Sequence, residues 1–382
     1  MIYFDNAATT MDKPDEVIEA MTAALRTFGG AGRGVHGASI AASEAVYAAR
    51  EGIARLLGAQ AASRIAFTAN ATAALNMAIA GLLPARGRAV TTAASHNSVL
   101  RPLYRMRDEC GCSLAVAPVR ADGSLDYPAF ERMLEDGADV VVATHASNVT
   151  GDVYDVARMA RTAHEAGAAF VLDAAQTAGT LPIDMGEIGA DVVCFTGHKA
   201  LYGPQGTGGL AVGGDIELPP LMVGGSGFRS FEERHPDAMP ESLEAGTANA
   251  HGLAGLAAGI AYLDRIGLET VSRRIEEATS RFLEGVRGLP NVSVLGGSTR
   301  VRSGIVAIVI DGMDSALGAG RLWSEFGICV RAGAHCAPLM HEALGTKESG
   351  AVRFSFSHRT SEAEIDKGIA ALAFVAEGGS RV

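Results

Sequence analysis

Asp191-Val192-Val193-Cys194-Phe195-Thr196-Gly197-His198-Lys199 is an apolar run that gives way to polar residues and ends on a lysine. Val192 to Phe195 carry no charge and read as a buried strand. The stretch Gly203-Pro204-Gln205-Gly206-Thr207-Gly208-Gly209 just beyond it reads as a Gly-rich turn. Lysine is a poor choice for the end of a buried strand, because its ammonium is costly to desolvate. Either Lys199 snorkels to solvent or it serves covalent chemistry. A partly buried amine has a lowered pKa and can form a Schiff base with an aldehyde.

Outward from this run, apolar strands alternate with helix-like segments between residues 64 and 212. The strands read as Arg64–Thr68, Ala89–Thr92, Val140–Thr144, Phe170–Asp173, Asp191–Phe195 and Gly209–Val212. Amphipathic or Ala-rich stretches such as Ala71–Gly81, Val99–Glu109 and Val156–Ala166 lie between them. Uniformly apolar strands in this alternation predict an α/β fold whose mostly parallel sheet is covered on both faces. After about residue 250 the texture changes. A long helical region, His251 to Gly288, precedes strands Ser293–Leu295 and Ile305–Ile310. A helix at Ser315–Phe326, strands near Ile328–Arg331 and Val352–Ser355, and a last helix at Ser361–Glu377 follow. The expectation is a large domain over 15–250 and a smaller α+β domain over 251–382 together with 1–14. No internal repeat or low-complexity linker interrupts them.

The chain has 382 residues and a formal net charge of -11, enough for two domains and a substantial core. An acidic chain without a basic cluster argues against nucleic acid or an anionic membrane as a partner. The apolar stretch around Leu253–Leu263 is broken by glycine and is too short to span a bilayer. Met1-Ile2-Tyr3-Phe4-Asp5 lacks a basic region and a signal-type apolar core, so a cytoplasmic location is expected. The five cysteines are Cys110, Cys112, Cys194, Cys329 and Cys336. Their odd number and scatter do not make a disulfide framework, and Cys110 and Cys112 are too close for a C-x-x-C pattern. No metal site is expected.

Each strand is followed at once by polar groups. Thr68 leads to Asn70-Ala71-Thr72, Thr92 to His96-Asn97, Thr144 to His145 and Asn148, Leu172 to Asp173 and Gln176, and Phe195 to Thr196, His198 and Lys199. One such group could be a cap or a turn former, and Asn148 before Gly151 could be no more than a turn. Five together point to a site, since ligands of doubly wound sheets bind beyond the carboxyl ends of the strands. The types suit an aromatic, phosphorylated aldehyde. Thr72, near a helix start, offers a hydroxyl and free backbone N–H groups to a phosphate, and Thr196 and His198 add donors. Asp173 suits a protonated pyridine nitrogen, His96 could stack on the ring, and Lys199 suits the aldehyde. The implied cofactor is pyridoxal 5'-phosphate.

With these residues in view, the chain resembles the class V aminotransferase superfamily of fold-type I pyridoxal phosphate enzymes, and within it the cysteine desulfurases. The matching pieces are Tyr3-Phe4-Asp5-Asn6-Ala7-Ala8-Thr9-Thr10, Ser95-His96-Asn97-Ser98, Ala146-Ser147-Asn148-Val149-Thr150-Gly151, Asp173-Ala174-Ala175-Gln176, Thr196-Gly197-His198-Lys199, Glu244-Ala245-Gly246-Thr247 and Arg331-Ala332-Gly333-Ala334-His335-Cys336-Ala337-Pro338. They run in family order and cover nearly the whole chain. The resemblance implies that Lys199 carries the cofactor and shuttles the substrate's α-proton, and that Asp173 pairs with the pyridine nitrogen. Asn148 and Gln176 would lie beside the ring hydroxyl. His96 would stack on the ring and assist proton transfer, while Ala71, Thr72, Thr196 and His198 hold the phosphate. Arg353 would bind the substrate carboxylate, a task suited to a guanidinium fork. Cys336 would take sulfur from L-cysteine as a persulfide, with release of alanine. Its compact segment resembles the SufS-like type more than the NifS-like type with its longer loop. The resemblance also implies a homodimer in which Thr247, and a loop bearing Arg33, reach the neighbouring subunit's site. A sulfur-acceptor protein and a place in iron–sulfur cluster assembly complete the expectation.

One departure stands out. The family commonly has an aromatic-Asn-Thr sequence after the carboxylate arginine, and this chain has His358-Arg359-Thr360. Gly30-Ala31-Gly32-Arg33-Gly34 looks like a dinucleotide loop but follows the helical segment Glu16 to Thr27 rather than a strand, so it lacks the required context. Gly29–His36 reads instead as a flexible loop over the site, with Arg33 and His36 as contacts. Competing readings are a selenocysteine lyase, an aminotransferase on the same scaffold, and a non-catalytic sulfur carrier. Cys336 favours sulfur or selenium chemistry over transamination, and the joint presence of Lys199, Asp173, His96, Cys336 and Arg353 disfavours the carrier.

Overall fold

The computed structural model describes residues 1–32, 34–297 and 302–378. In chain order the first half contains β1 (Ile2–Tyr3), α1 (Asp15–Thr27), α2 (Gly37–Leu57), β2 (Ile65–Thr68), α3 (Ala71–Leu82), β3 (Arg88–Thr92), α4 (Asn97–Cys110), β4 (Ser113–Ala117), α5 (Tyr127–Leu134), β5 (Val140–Thr144), α6 (Val156–Glu165), β6 (Ala169–Asp173), α7 (Met185–Ile188), β7 (Val192–Thr196) and β8 (Gly208–Val212). The second contains α8 (Ala250–Ile266), α9 (Leu268–Val286), β9 (Val292–Val294), β10 (Ile305–Ile310), α10 (Ser315–Phe326), β11 (Ile328–Cys329), β12 (Arg331–Gly333), α11 (Pro338–Ala343), β13 (Ala351–Ser355) and α12 (Glu362–Ala376).

Seven strands form the large sheet in the order β2-β8-β7-β6-β5-β3-β4. All neighbours are parallel except β8, which runs antiparallel to β7 and β2. Both faces are covered. Val140, Val142, Val171, Val192 and Cys194 join one apolar core. Val141, Ala143, Phe170, Leu172, Val193 and Phe195 join the other. This odd–even split is the two-residue period of a pleated strand, which explains why these segments carry no charge. Glycine is required in β8: a Cβ on Gly209 would lie 2.3 Å from the Ala66 carbonyl oxygen and 2.8 Å from the Phe195 ring. Chain order turns back between β3 and β5, because β4 lies outward of β3. That is the switch point where doubly wound sheets open a crevice beyond the strand ends.

The smaller sheet, β12-β13-β10-β9, is antiparallel, and β1 pairs in parallel with β11. Phe4, Phe282, Phe354 and Phe356 centre its core. The packing crosses the expected division at residue 251. Leu253, Leu256, Ile260 and Leu263 of α8 belong to the large-sheet core, as do Val271 and Ile275 of α9. Ala278, Phe282 and Val286 of the same helix belong to the small-domain core. We propose that the boundary lies within α9, so that this helix braces both units. Among the described residues, no helix is long and apolar enough to cross a membrane.

Candidate active site

Lys199 emerges just beyond β7 in a turn fixed on all sides. Gly197 N–H donates to Thr207 O (2.8 Å), Gly203 N–H to Gly197 O (2.9 Å) and Tyr202 N–H to Lys199 O (3.0 Å). Residues 9–13 hold the turn from the other side. Thr10 Oγ1 donates to Lys199 O (2.8 Å), while Thr10 N–H (3.1 Å) and Lys13 Nζ (2.9 Å) both donate to His198 O. Burial, seconded by the Arg353 charge and opposed by Asp173, lowers the Lys199 amine to about 8. Much more of it is therefore neutral near physiological pH than an ordinary lysine would allow.

Asp173 closes β6 and is nearly fully buried. Its Oδ1 accepts from Ala175 N–H (3.0 Å). Burial still raises the carboxyl pKa, against the pull of that N–H and of Lys199. A cation placed against it would relieve that cost. His96 caps α4: its Nδ1 accepts from Ser98 N–H (3.0 Å), which leaves the ring proton on Nε2. Burial, then Lys199 and Arg353, push His96 down to about 4, so the ring is neutral.

Two buried polar atoms beside Lys199, Thr196 Oγ1 and His198 Nδ1, have no partner. His198 is held neutral, at about 4, by burial and by Lys199 and Lys13. Across the cleft α3 begins at Ala71, with Asn70 capping Ala73 N–H (3.0 Å). The first N–H groups of a helix have no intrahelical acceptor and attract an anion. A hydroxyl, an imidazole and a helix start around one space fit a phosphate, and Asp173 fits a protonated ring nitrogen. The donor set therefore fits pyridoxal 5'-phosphate.

The opposite wall comes from the small domain. Arg353, on β13, is 2% exposed. Its Nη1 donates to Asn148 O (2.9 Å), its Nη2 lies 3.2 Å from Asp5 Oδ1, and its Nε has no partner. Burial lowers it to about 10, in spite of Asp5. Cys336 is exposed, on the short loop between β12 and α11. His335 and Cys336 both have left-handed backbones, φ 50° and 56°. Such a pair persists only where the surroundings hold it. Here Asn148 Nδ2 donates to His335 O (2.6 Å) and Asn97 N–H to Cys336 O (2.7 Å). Beneath, His335 Nε2 lies 3.2 Å from Arg331 O, His335 Nδ1 3.4 Å from His341 Nε2, and His341 Nδ1 2.8 Å from Thr346 Oγ1. A carbonyl can only accept, so Nε2 of His335 carries its proton, Nε2 of His341 donates to Nδ1 of His335, and Thr346 donates to His341. Burial keeps both rings neutral by pushing their pKa values down, His335 to about 3.

One cleft of ≈ 210 Å³ gathers Ala71, Thr72, His96, Asn148, Asp173, Gln176, Thr196, His198, Lys199, Cys336 and Arg353. Gln176 Nε2 also donates to Ala7 O (3.3 Å). Thr247 is exposed and does not line this cleft, although Glu244 three residues earlier is anchored to Arg50 (2.7 Å) and to Phe67 N–H (2.7 Å). Arg33 lies outside the described residues. Asp5 and His335 carry functional contacts that sequence reasoning did not assign. Both lay in stretches already quoted, but only tertiary pairing reveals their tasks. Among the described residues, no group of three or more His, Cys, Asp or Glu side chains is placed to hold a metal ion.

The model of the aminotransferase class-V family matches residues 2–367. The "Probable cysteine desulfurase" of Methanothermobacter thermautotrophicus is 33% identical over 371 residues, covering 95% of this chain and 92% of that protein. Its namesake in Pyrococcus abyssi is 34% identical, covering 96% and 92%. Among solved structures, the cysteine desulfurase of Thermococcus onnurineus superposes with a TM-score of 0.91 at 32% identity, covering 99% of this chain and 95% of that one. A lysine beyond β7, a buried carboxylate, an anion cradle and a pinned thiol thus meet in one cleft of a scaffold that these relatives share along almost the full length, and the chain belongs to the aminotransferase class-V family.

Proposed function

We propose that this protein is a pyridoxal-phosphate-dependent cysteine desulfurase that converts L-cysteine to L-alanine and takes the sulfur as a persulfide on Cys336. The observation that carries the reading is the two-walled cleft. A lysine with a lowered pKa stands on one wall, and an exposed cysteine, pinned at Asn97 and Asn148, stands with Arg353 on the other.

The bound cofactor would supply an electron sink for bond breaking at the substrate carbons. The protein's own residues do the rest. Thr196, His198 and the start of α3 hold the phosphate. Asp173 keeps the ring nitrogen protonated. Arg353 offers its unpartnered Nε edge to the substrate carboxylate. Lys199, whose amine burial lowers to about 8, moves the α-proton once freed. Neutral His96 donates from Nε2 and covers the ring face. The Cys336 thiolate attacks the substrate sulfur, the C–S bond breaks, and the sulfur stays on Cys336 while carbon is protonated to give alanine. Turnover then needs a thiol or an acceptor protein to remove the sulfur, in keeping with a place in sulfur supply for iron–sulfur clusters inside the cell. L-Selenocysteine fits the same donors.

The direct test measures alanine together with sulfide or selenide from each amino acid, with and without a thiol reductant. Alanine and sulfide should form from cysteine, with sustained turnover only when reductant is present. Alanine without persulfide on the protein would refute the role of Cys336. A keto acid and a converted cofactor would mark an aminotransferase.

We further propose a homodimer. Val35, Met222, Val223 and Phe231 are strongly exposed apolar residues, and Phe231 is wholly so. Exposed apolar residues that lie together mark an association surface, and Met222 and Val223 are adjacent in the chain. Thr247, outside its own cleft but on a stretch anchored through Glu244, would serve a neighbour's phosphate in that dimer. Mixing Lys199→Ala and Thr247→Ala subunits at limiting cofactor tests this. A mixed dimer has one site with both lesions and one with neither. Activity should recover to about a quarter of wild type, since half the dimers are mixed and one site in two is intact. No recovery despite demonstrated exchange would show that each site is built within one chain.

A further inference from the structure

His358 and Arg359, the departure noted in the sequence, take no part in the chemistry above, yet they join the two domains beside it. His358 lies in the turn between β13 and α12 and is 5% exposed. Both of its ring nitrogens meet phenols of the large domain. Tyr202 Oη is 2.9 Å from Nδ1 and Tyr262 Oη is 3.1 Å from Nε2. Burial pushes His358 to about 4, so the ring is neutral, with one N–H and one lone pair. One tyrosine therefore donates to it and the other accepts. The rings also pack, Tyr202 against His358 at 5.3 Å and 80° and against Tyr262 at 5.7 Å and 68°. Arg359 completes the cluster. Its Nη1 donates to Tyr262 Oη (3.1 Å) and its Nε pairs with Asp12 Oδ2 (2.6 Å).

The location gives the cluster its meaning. Tyr202 follows Lys199 by three residues, donates its N–H to the Lys199 carbonyl, and holds a left-handed backbone at φ 58°. His358 follows Arg353 by five residues on the chain leaving β13. A short, rigid path thus runs from the cofactor lysine through two hydrogen-bonded rings to the carboxylate arginine. We propose that His358 and Arg359 are positioning residues, clasping the β13–α12 turn to Tyr202 and Tyr262 and so setting the spacing between Arg353 and Lys199. The proposal rests on the desulfurase reading for its substrate, and on geometry alone for the clasp.

His358→Phe keeps an aromatic ring and removes both hydrogen bonds. In the loaded dimer it should leave cofactor absorbance and stoichiometry unchanged, raise KM for L-cysteine about tenfold and alter kcat less than about threefold. Deuterium exchange at the Tyr202 and Gly203 amides should quicken. His358→Gln, which keeps a donor and an acceptor, should recover part of the KM. Adding Tyr262→Phe to His358→Phe should raise KM further, because it also removes the Arg359 contact to that hydroxyl. A folded, loaded His358→Phe enzyme with wild-type KM and exchange would overturn the clasp. So would a KM that rises together with a changed cofactor absorbance, since that marks general loosening. If the wild type binds cofactor but leaves cysteine unconsumed, the desulfurase reading fails instead, and the exchange comparison still decides the clasp.

Discussion

Lys199→Ala is expected to give a folded but colourless protein with turnover lowered by at least ~10³-fold. On the proposed reading the lysine has two tasks, anchoring the cofactor and moving a proton, and positioned proton transfer alone is worth roughly 10²–10⁴-fold. Removing it also relieves the site of a buried amine that desolvation holds at about 8, so stability should not suffer. In the wild type, borohydride should fix the cofactor to Lys199. The rate of covalent loading should rise with pH and level off above about 8, because the neutral amine is the attacking form and a lowered pKa makes it available from that point upward. A Lys199→Ala protein that stays yellow after dialysis, or a borohydride label on another residue, would overturn the assignment.

Cys336→Ala should show the opposite pattern. The cofactor stays bound with its usual absorbance, while sulfide release falls by at least ~10²-fold as the nucleophile is lost. Folding should be indifferent to the change. The side chain is exposed, and alanine bears the same left-handed backbone cost as cysteine at φ 56°. The other cysteines serve as internal controls. Cys112 and Cys194 are buried, and burial raises the thiol pKa of Cys194 and Cys329. Thiolate is the reactive form, so these thiols are poorly suited to attack. Replacing Cys110, Cys112, Cys194 or Cys329 by alanine or serine should leave most activity in place. A Cys336→Ala enzyme that desulfurates at the wild-type rate would locate the chemistry elsewhere.

The large domain was legible because its chemistry lies at strand ends. Lys199, Asp173, Asn148 and His96 each follow an apolar run, and a parallel sheet delivers such residues to one edge. Less was legible where local signals are weak. α2 starts without a side-chain cap at His36 and is rich in alanine and glycine. β4 is an edge strand, paired only with β3 and partly exposed. The antiparallel course of β8 cannot be read from its apolar residues, since direction is set by the pairing. The sequence texture changes after about residue 250, which groups α8 with the second domain, whereas its packing is against α1, α2 and the large-sheet core. The tasks of Asp5, His335 and His358 depend on partners far along the chain, and no local pattern encodes those.

Residues 2–10 have a consequence for the order in which the protein can mature. Ile2 and Tyr3 pair with Ile328 and Cys329, Ser355 N–H donates to Phe4 O, Ser355 Oγ receives Ala7 N–H, and Asp5 meets Arg353. During synthesis this segment must wait for residues some 350 positions later, roughly 20–70 s at ribosomal rates. Closing so long a loop is also the slowest class of folding contact. The large sheet, with the residues proposed to hold the cofactor, can form from the nascent chain well before then. The wall bearing Arg353 and Cys336 cannot be locked onto it until nearly the whole chain has emerged. A partly made molecule could therefore hold the cofactor without being able to seize an amino acid. On the proposed desulfurase reading, birth order alone would keep the sulfur chemistry inert until translation is almost complete.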